Sequence, residues 1–286
     1  MQSEKEMAEF NSFFKSVGGN EGERCHYSTR LDTYGCGCAH NCAYCYARSL
    51  LAFRGLWKPN SPSVTSKYEL SKALAHKMNA GDVVRLGGMT DCFQPAEREY
   101  HRTLDAIRMC NWRGIHYLIV TKSPLVAEYA DVLSRELAHI QISITSTSAE
   151  KSLEIEPGAP VPAERIAAVE QLAAKGFDVS VRLSPFIPEF VDLSVINAIK
   201  CDKILVEFLR VNGFISKWLR GAGISLSRYS YQSEGYKHLP LADKVALLEG
   251  ITGFKQHSVC EDVPEHWAYW QTHYNTNPDD CCNLRI

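Results

Sequence analysis

Between residues 30 and 208, strand-like and helix-like segments alternate six times, and that alternation limits the folds open to this chain. The strand candidates are Arg30–Gly35, Asp82–Gly88, Ile115–Thr121, Ile140–Thr145, Phe177–Leu183 and Lys203–Phe208. Most are short apolar runs, the mark of strands buried on both faces. Between them lie helix signals. Ser66 with Glu69 three residues on opens a helix towards Gly81. Pro95 starts one to Asn111, and Ser123-Pro124 starts one to Leu137. Pro162–Lys175 is closed by Gly176, and Val191–Ile199 is short. Repeated β-then-α units imply parallel strands joined by helical crossovers, hence an α/β barrel or partial barrel. The 286 residues, 45% hydrophobic, are enough for one sizeable core. In parallel barrels chemistry sits at the C-terminal strand ends.

The loop after the first strand carries Cys38, Cys42 and Cys45. Three thiolates at C-x3-C-x2-C spacing can hold three irons of a [4Fe-4S] cube, and the loop offers no fourth. The open iron is then free to bind something else. Zinc or incidental cysteines are the alternatives, although zinc knuckles usually pair two C-x2-C motifs. The chain has eleven cysteines. With no apolar signal segment in its N-terminal residues and no stretch long enough to span a membrane, a cytoplasmic location is expected. There, many cysteines point to metal ligands more than to disulfides. The formal net charge of −2 argues against a nonspecific nucleic-acid binder, but leaves a local basic face open.

Other positions have physical readings of their own. Gly87-Gly88 lets backbone approach a ligand closely, or simply turns a strand end. Asp91 is a candidate cap for the helix that follows. Arg182 lies on an inner strand and requires a carboxylate or ligand partner. After Arg210 the pattern changes to Gly, Ser, Tyr and charged residues, with helix candidates at Leu241–Ile251 and Val263–Tyr274. The expected division is an N-terminal extension over 1–29, a barrel over 30–209 and a C-terminal lid extension over 210–286. In that tail Arg220 and Arg228 stand among aromatics including Trp218 and Tyr231. Cations can meet phosphates while rings stack on bases, or the segment is an ordinary solvated lid. Cys260, Cys281 and Cys282 would suit a second iron–sulfur cluster, joined by Cys25, Cys36 or Cys110. Equally, they are buried thiols that pack the lid.

The run Cys42-Ala-Tyr44-Cys45-Tyr-Ala-Arg48 resembles the signature of the radical S-adenosylmethionine (SAM) superfamily, in its spore photoproduct lyase-like branch. So do Thr90-Asp91-Cys-Phe-Gln94-Pro95-Ala-Glu97, Thr121-Lys122-Ser123, and Glu156-Pro157-Gly-Ala-Pro160 followed by Arg165. The resemblance covers about residues 31–188 and implies a partial (β/α)6 TIM-like barrel. It implies a [4Fe-4S] cluster on Cys38, Cys42 and Cys45, with SAM on the open iron. It further implies SAM contacts at Tyr44, Gly87, Gly88, Thr90, Lys122, Ser143 and Arg182. An electron donor such as flavodoxin or ferredoxin would drive cleavage to a 5′-deoxyadenosyl radical.

One departure stands out. The lyase has a hydrogen-donating cysteine two residues before its SAM-contacting Ser, where this chain has Gly88. The ending, from His257 to Arg285, is similar to a bacteriophage subset active in thymidine hypermodification. One member isomerises a glycyl group on the thymine methyl. The expectation is thus a radical SAM isomerase acting on a modified pyrimidine in DNA, in the host cytoplasm if phage-encoded. The alternatives are a DNA-lesion lyase, a peptide- or tRNA-modifying radical enzyme, or a non-catalytic iron–sulfur or zinc protein that binds nucleic acid.

Overall fold

The computed structural model describes residues 13–286. An eight-stranded sheet is built in chain order from β1 (Phe14–Ser16), β2 (Thr29–Leu31), β3 (Val83–Leu86), β4 (His116–Thr121), β5 (Ala138–Ile144), β6 (Asp178–Phe186), β7 (Lys203–Phe208) and β8 (Gln256–Val259). β1 runs antiparallel to β2, and every later neighbour is parallel. Each strand is the spatial neighbour of the one before it, as right-handed crossovers in a wound α/β sheet require. The arrangement is a partial TIM-like barrel. Apolar strand residues such as Val84, Ile119, Ile142, Val181 and Val206 are wholly buried against the surrounding helices.

The sheet extends past 30–209 at both edges. β1 comes from the expected N-terminal extension, of which residues 1–12 lie outside the described residues. β8 comes from the expected lid and pairs along β7, Gln256 against Lys203 through Val259 against Val206. Among the described residues no helix is long and apolar enough to cross a membrane.

Three expected elements change form. The strand over Arg30–Gly35 breaks after Leu31, and Tyr34–Gly35 pairs instead with Ser63–Val64. Asp32 causes the break: its carboxylate turns inward to accept from the backbone of Gly88, Met89 and Thr90. The helix from Pro95 divides at His101, which is left-handed at φ 52, and resumes as Arg102–Arg113. Glu97 caps the second part, accepting from the backbone N–H groups of Thr103 and Leu104 at 2.8 and 2.9 Å. The helix after Pro124 stops at Glu128. Ser134 Oγ then takes the backbone donors of Glu136 and Leu137, drawing the chain into a turn before β5.

Candidate active site

Every parallel strand sends residues from its C-terminal end into one cavity of about 380 Å3, within the range of small-molecule sites. Cys38, Cys42 and Cys45 line it, with Gly87, Gly88, Thr90, Lys122, Ser143 and Arg182. Stretches far apart along the chain thus meet at the place the barrel topology reserves for chemistry.

The cysteine loop is clamped from three sides. Gln94 holds it with both ends of its amide: Oε1 accepts from Ala39 N at 3.1 Å and Nε2 donates to Gly37 O at 3.2 Å. Gly37 packs on Lys58 so closely that an added Cβ would lie 1.9 Å from the Lys58 carbonyl oxygen. Gly158 stands in the same relation to Ala39 O, again at 1.9 Å. The chain on either side of Gly158 is tied to the loop by Gly158 N to His40 O and Ala43 N to Ile155 O. The Gln94-Pro95 and Glu156-Pro157-Gly158 segments therefore serve to fix the cysteines. Cys45 also N-caps the helix Tyr46–Phe53, its sulfur accepting from Arg48 N at 3.4 Å.

The electrostatics differ around the loop. Burial raises the Cys38 thiol, but His40 beside it overrides this and holds Cys38 below its ordinary value. His40 is itself pushed up to about 10 against the effect of burial, by Cys38 and by Asp91, whose Oδ2 lies 3.4 Å away. Burial raises Cys42 and Cys45. Asp91 does not cap the following helix. Its two oxygens accept from Thr121 Oγ1 at 2.6 Å, Lys122 N at 2.7 Å and Phe93 N at 2.9 Å. It thereby joins the third strand's loop to the fourth's.

A buried charge group backs the site. Glu156 is fully buried, with Arg165 Nη2 2.6 Å away, Lys122 Nζ 3.9 Å away and the Tyr44 hydroxyl donating to it. Burial would raise its carboxyl, but Arg165 and then Lys122 bring it down to about 2. The Tyr44 hydroxyl is thus committed to Glu156 and Thr145, while the Lys122 ammonium lies 5.5 Å over the Tyr44 ring. Thr90 is committed as well, donating to Tyr34 O at 2.5 Å. Arg182 has the partner its burial demands: Glu207 Oε2 at 2.5 Å, with Gln141 Oε1 at 2.6 Å. Gly87 is left-handed at φ 81, and a Cβ there would meet two carbonyl oxygens at 3.1 Å. Cys92 is 1% exposed and absent from the cavity wall.

The tail residues expected to meet nucleic acid lie away from this cavity. Arg220 and Arg228 are exposed, Arg228 3.7 Å from Asp243. The Arg48 guanidinium covers one face of Trp218 at 4.2 Å. The Tyr231 ring packs on His266 at 4.7 Å. From the Arg210–Lys237 stretch only Arg210 reaches the cavity. Of the tail cysteines, Cys260 and Cys281 line it, and so does Cys25. Cys110 instead lies in the main core with Ile107 and Tyr117, while Cys36 is absent from the cavity wall.

The model of the radical SAM superfamily matches residues 33–200. The chain belongs to that superfamily. Its cofactors are a [4Fe-4S] cluster and SAM, and the chain is an enzyme of this kind. An uncharacterized protein of Methanocaldococcus jannaschii is 29% identical over 162 residues, 56% of this chain and 61% of that protein. The chain thus spans less than two thirds of the length of this curated relative. Among solved structures, spore photoproduct lyase complexed with dinucleoside spore photoproduct matches with a TM-score of 0.62 at 14% identity, covering 84% of this chain and 75% of that one. Methylornithine synthase matches with a TM-score of 0.51 at 13% identity, over 82% and 65%. These likenesses are of fold.

The residues present fit the superfamily's cofactors. Three cysteines from one clamped loop share a cavity wall. Three thiolates on one wall suit three corners of a cube-shaped cluster, leaving the fourth to another ligand. Asp32, Gln94 and Gly158, which set the geometry, carry no chemistry of their own. In the sequence Gln94 and Gly158 stood inside quoted motifs without a role assigned to them, and Asp32 read as a strand residue.

Proposed function

We propose that this radical SAM enzyme rearranges a modified pyrimidine in DNA, isomerising a glycyl group on a thymidine. Cys38, Cys42 and Cys45 hold the cluster, and Lys122 and Gly87-Gly88 border the SAM site. When bound, the cluster supplies the electron that splits SAM, with a flavodoxin or ferredoxin as its source. The chain's own task is to hold the substrate and to keep hydrogen donors away from the carbon radical.

One observation carries this reading. At position 88, where a lyase of the related branch has its hydrogen-donating thiol, there is a glycine that borders the cavity, and Cys92 is buried and off the cavity wall. A radical formed beside Gly88 meets no thiol from that position. The charge pattern agrees. The cavity wall carries Arg182 with Glu207 and Arg210 with Asp262, cations and carboxylates side by side. Such a wall is complementary to a group with both an amine and a carboxylate, as a glycyl group has. That spore photoproduct lyase takes a dinucleoside substrate in a similar barrel supports the choice of a nucleotide.

The test is an anaerobic reaction with SAM, a reductant and DNA bearing glycyl-modified thymidine, followed by mass spectrometry of the nucleosides. The expected product has the mass of the substrate and a new retention time, with 5′-deoxyadenosine formed. Repair of a pyrimidine dimer would move the enzyme to the lyases. Turnover of a peptide or free small molecule, with DNA inert, would remove nucleic acid from the reading.

A further inference from the structure

Four cysteines from three distant stretches of chain meet beside the cavity. Cys281 and Cys282 are each 7% exposed and bury together with Tyr27, Val83, Leu118 and Leu205, and Cys25 and Cys260 pack on the same group. The four thiols lie close together, and burial with the neighbouring Cys282 and Cys260 pushes Cys25 up to about 12. Cys25, Cys260 and Cys281 line the cavity itself.

The meeting is built. Cys260 N donates to Val206 O at 2.8 Å, continuing the β8 ladder by one residue. Asp280 fixes the turn of the paired cysteines, accepting from Cys282 N and Leu284 N at 2.9 and 2.8 Å. Ser258 Oγ holds Cys281 O at 2.5 Å. Arg24 ties the first segment to the last, donating to Glu261 O at 3.2 Å and lying 4.3 Å over the Trp267 ring. Beside the thiols, Arg85 borders the cavity with its Nε buried and without a hydrogen-bond partner.

We propose that Cys25, Cys260, Cys281 and Cys282 hold a second iron–sulfur cluster on the wall of this cavity. Free cysteines bury readily one at a time. Four that converge, each placed by a separate backbone or side-chain tether, form a ligand set. A cluster takes thiolates at separate corners, so four thiols gathered on one wall can serve it. Arg85 is paired with Glu21 at 3.1 Å through Nη1, which leaves its buried Nε as a free donor for sulfur. The radical chemistry of the superfamily gives a further reason. A thiol S–H is a ready hydrogen-atom donor, and three of them on this wall would quench a carbon radical. Ligation to iron removes the hydrogen while leaving the sulfur in place.

This inference rests on superfamily membership and not on the choice of substrate, so it is tested without one. The protein is prepared anaerobically, reconstituted with iron and sulfide, and assayed for iron, zinc and electron paramagnetic resonance. Wild type should carry about eight irons per chain, and Cys38→Ala/Cys42→Ala/Cys45→Ala should retain about four with a reducible cluster signal. Cys260→Ser/Cys281→Ser, which spares the loop, should also drop to about four and still bind SAM. If the triple variant does not fold, the serine variant against wild type decides the matter. About four irons in wild type, none of them lost in the serine variant, or zinc at the four cysteines, would overturn the proposal.

Discussion

Glu156 and Arg165 form an ion pair 2.6 Å long with both side chains wholly buried, and the cysteine loop rests on it. Arg165 also donates to Pro160 O at 2.8 Å and Ser143 O at 3.3 Å, so one guanidinium joins the loop's support to β5. Breaking such a pair leaves a charge without a partner in a medium that cannot solvate it. Arg165→Met should therefore cost about 3–5 kcal/mol in denaturant unfolding. Glu156→Gln/Arg165→Met, which removes both charges, should recover part of the loss. Equal destabilisation by the single and double variants would show that the pair is not what matters.

Gly158→Ala should damage the loop through shape alone. The new methyl would lie 1.9 Å from Ala39 O, a backbone atom that cannot swing away. A loss of about 1–3 kcal/mol is expected from forced overpacking. Iron retained after anaerobic reconstitution should fall with it. Gly18→Ala, at extended backbone with nothing within 4 Å, is the control and should leave iron content unchanged.

Lys122 and Thr90 should separate in a SAM-binding assay. Lys122 keeps its ammonium on the cavity wall 3.9 Å from Glu156, so Lys122→Ala should weaken SAM by about 1–3 kcal/mol. The Thr90 hydroxyl is spent on Tyr34 O, so Thr90→Ala should lower thermal stability with less effect on SAM. The opposite ranking by isothermal titration would reverse these roles.

Much of this was legible from the chain. Continuous apolar runs such as Ile-His-Tyr-Leu-Ile-Val-Thr mark buried parallel strands wherever they occur, and the cysteine spacing marks the site. What sequence could not show depends on partners far along the chain. Asp32 reads as a strand residue until Gly88, Met89 and Thr90 are brought to it. Gln-His-Ser-Val is too short and polar to read as a strand, and becomes one only because β7 offers a free edge. Cys25 lies in what reads as an extension, and Arg24's hold on Glu261 and Trp267 helps bring it to the tail cysteines. Thr90 and Tyr44 were expected at SAM from their motifs, yet their hydroxyls have protein partners.

Stability should fall in acid by an amount traceable to Asp178. Burial would raise its carboxyl, but His139 Nδ1 and Lys203 Nζ, each 2.6 Å away, bring it down to about 2 from 3.8. A folded-state value below the unfolded one gives stability present above pH 4 and lost as pH falls towards 2. The contribution is about 2.5 kcal/mol. Asp178→Asn should lower stability at pH 7 and flatten the decline between about pH 4 and pH 2. An unchanged acid limb in chemical denaturation would assign the decline elsewhere.

The β8 strand and the cysteines after it also set an order of assembly in time. A ribosome releases the Cys38–Cys45 loop well before the wall carrying Cys260 and Cys281 is made. Until then β7 has an unpaired edge and the cavity lacks one side. A nascent chain stalled before residue 256 would hold iron-binding thiols open to oxygen, so an interruption there threatens the loop more than its distance from Cys45 implies.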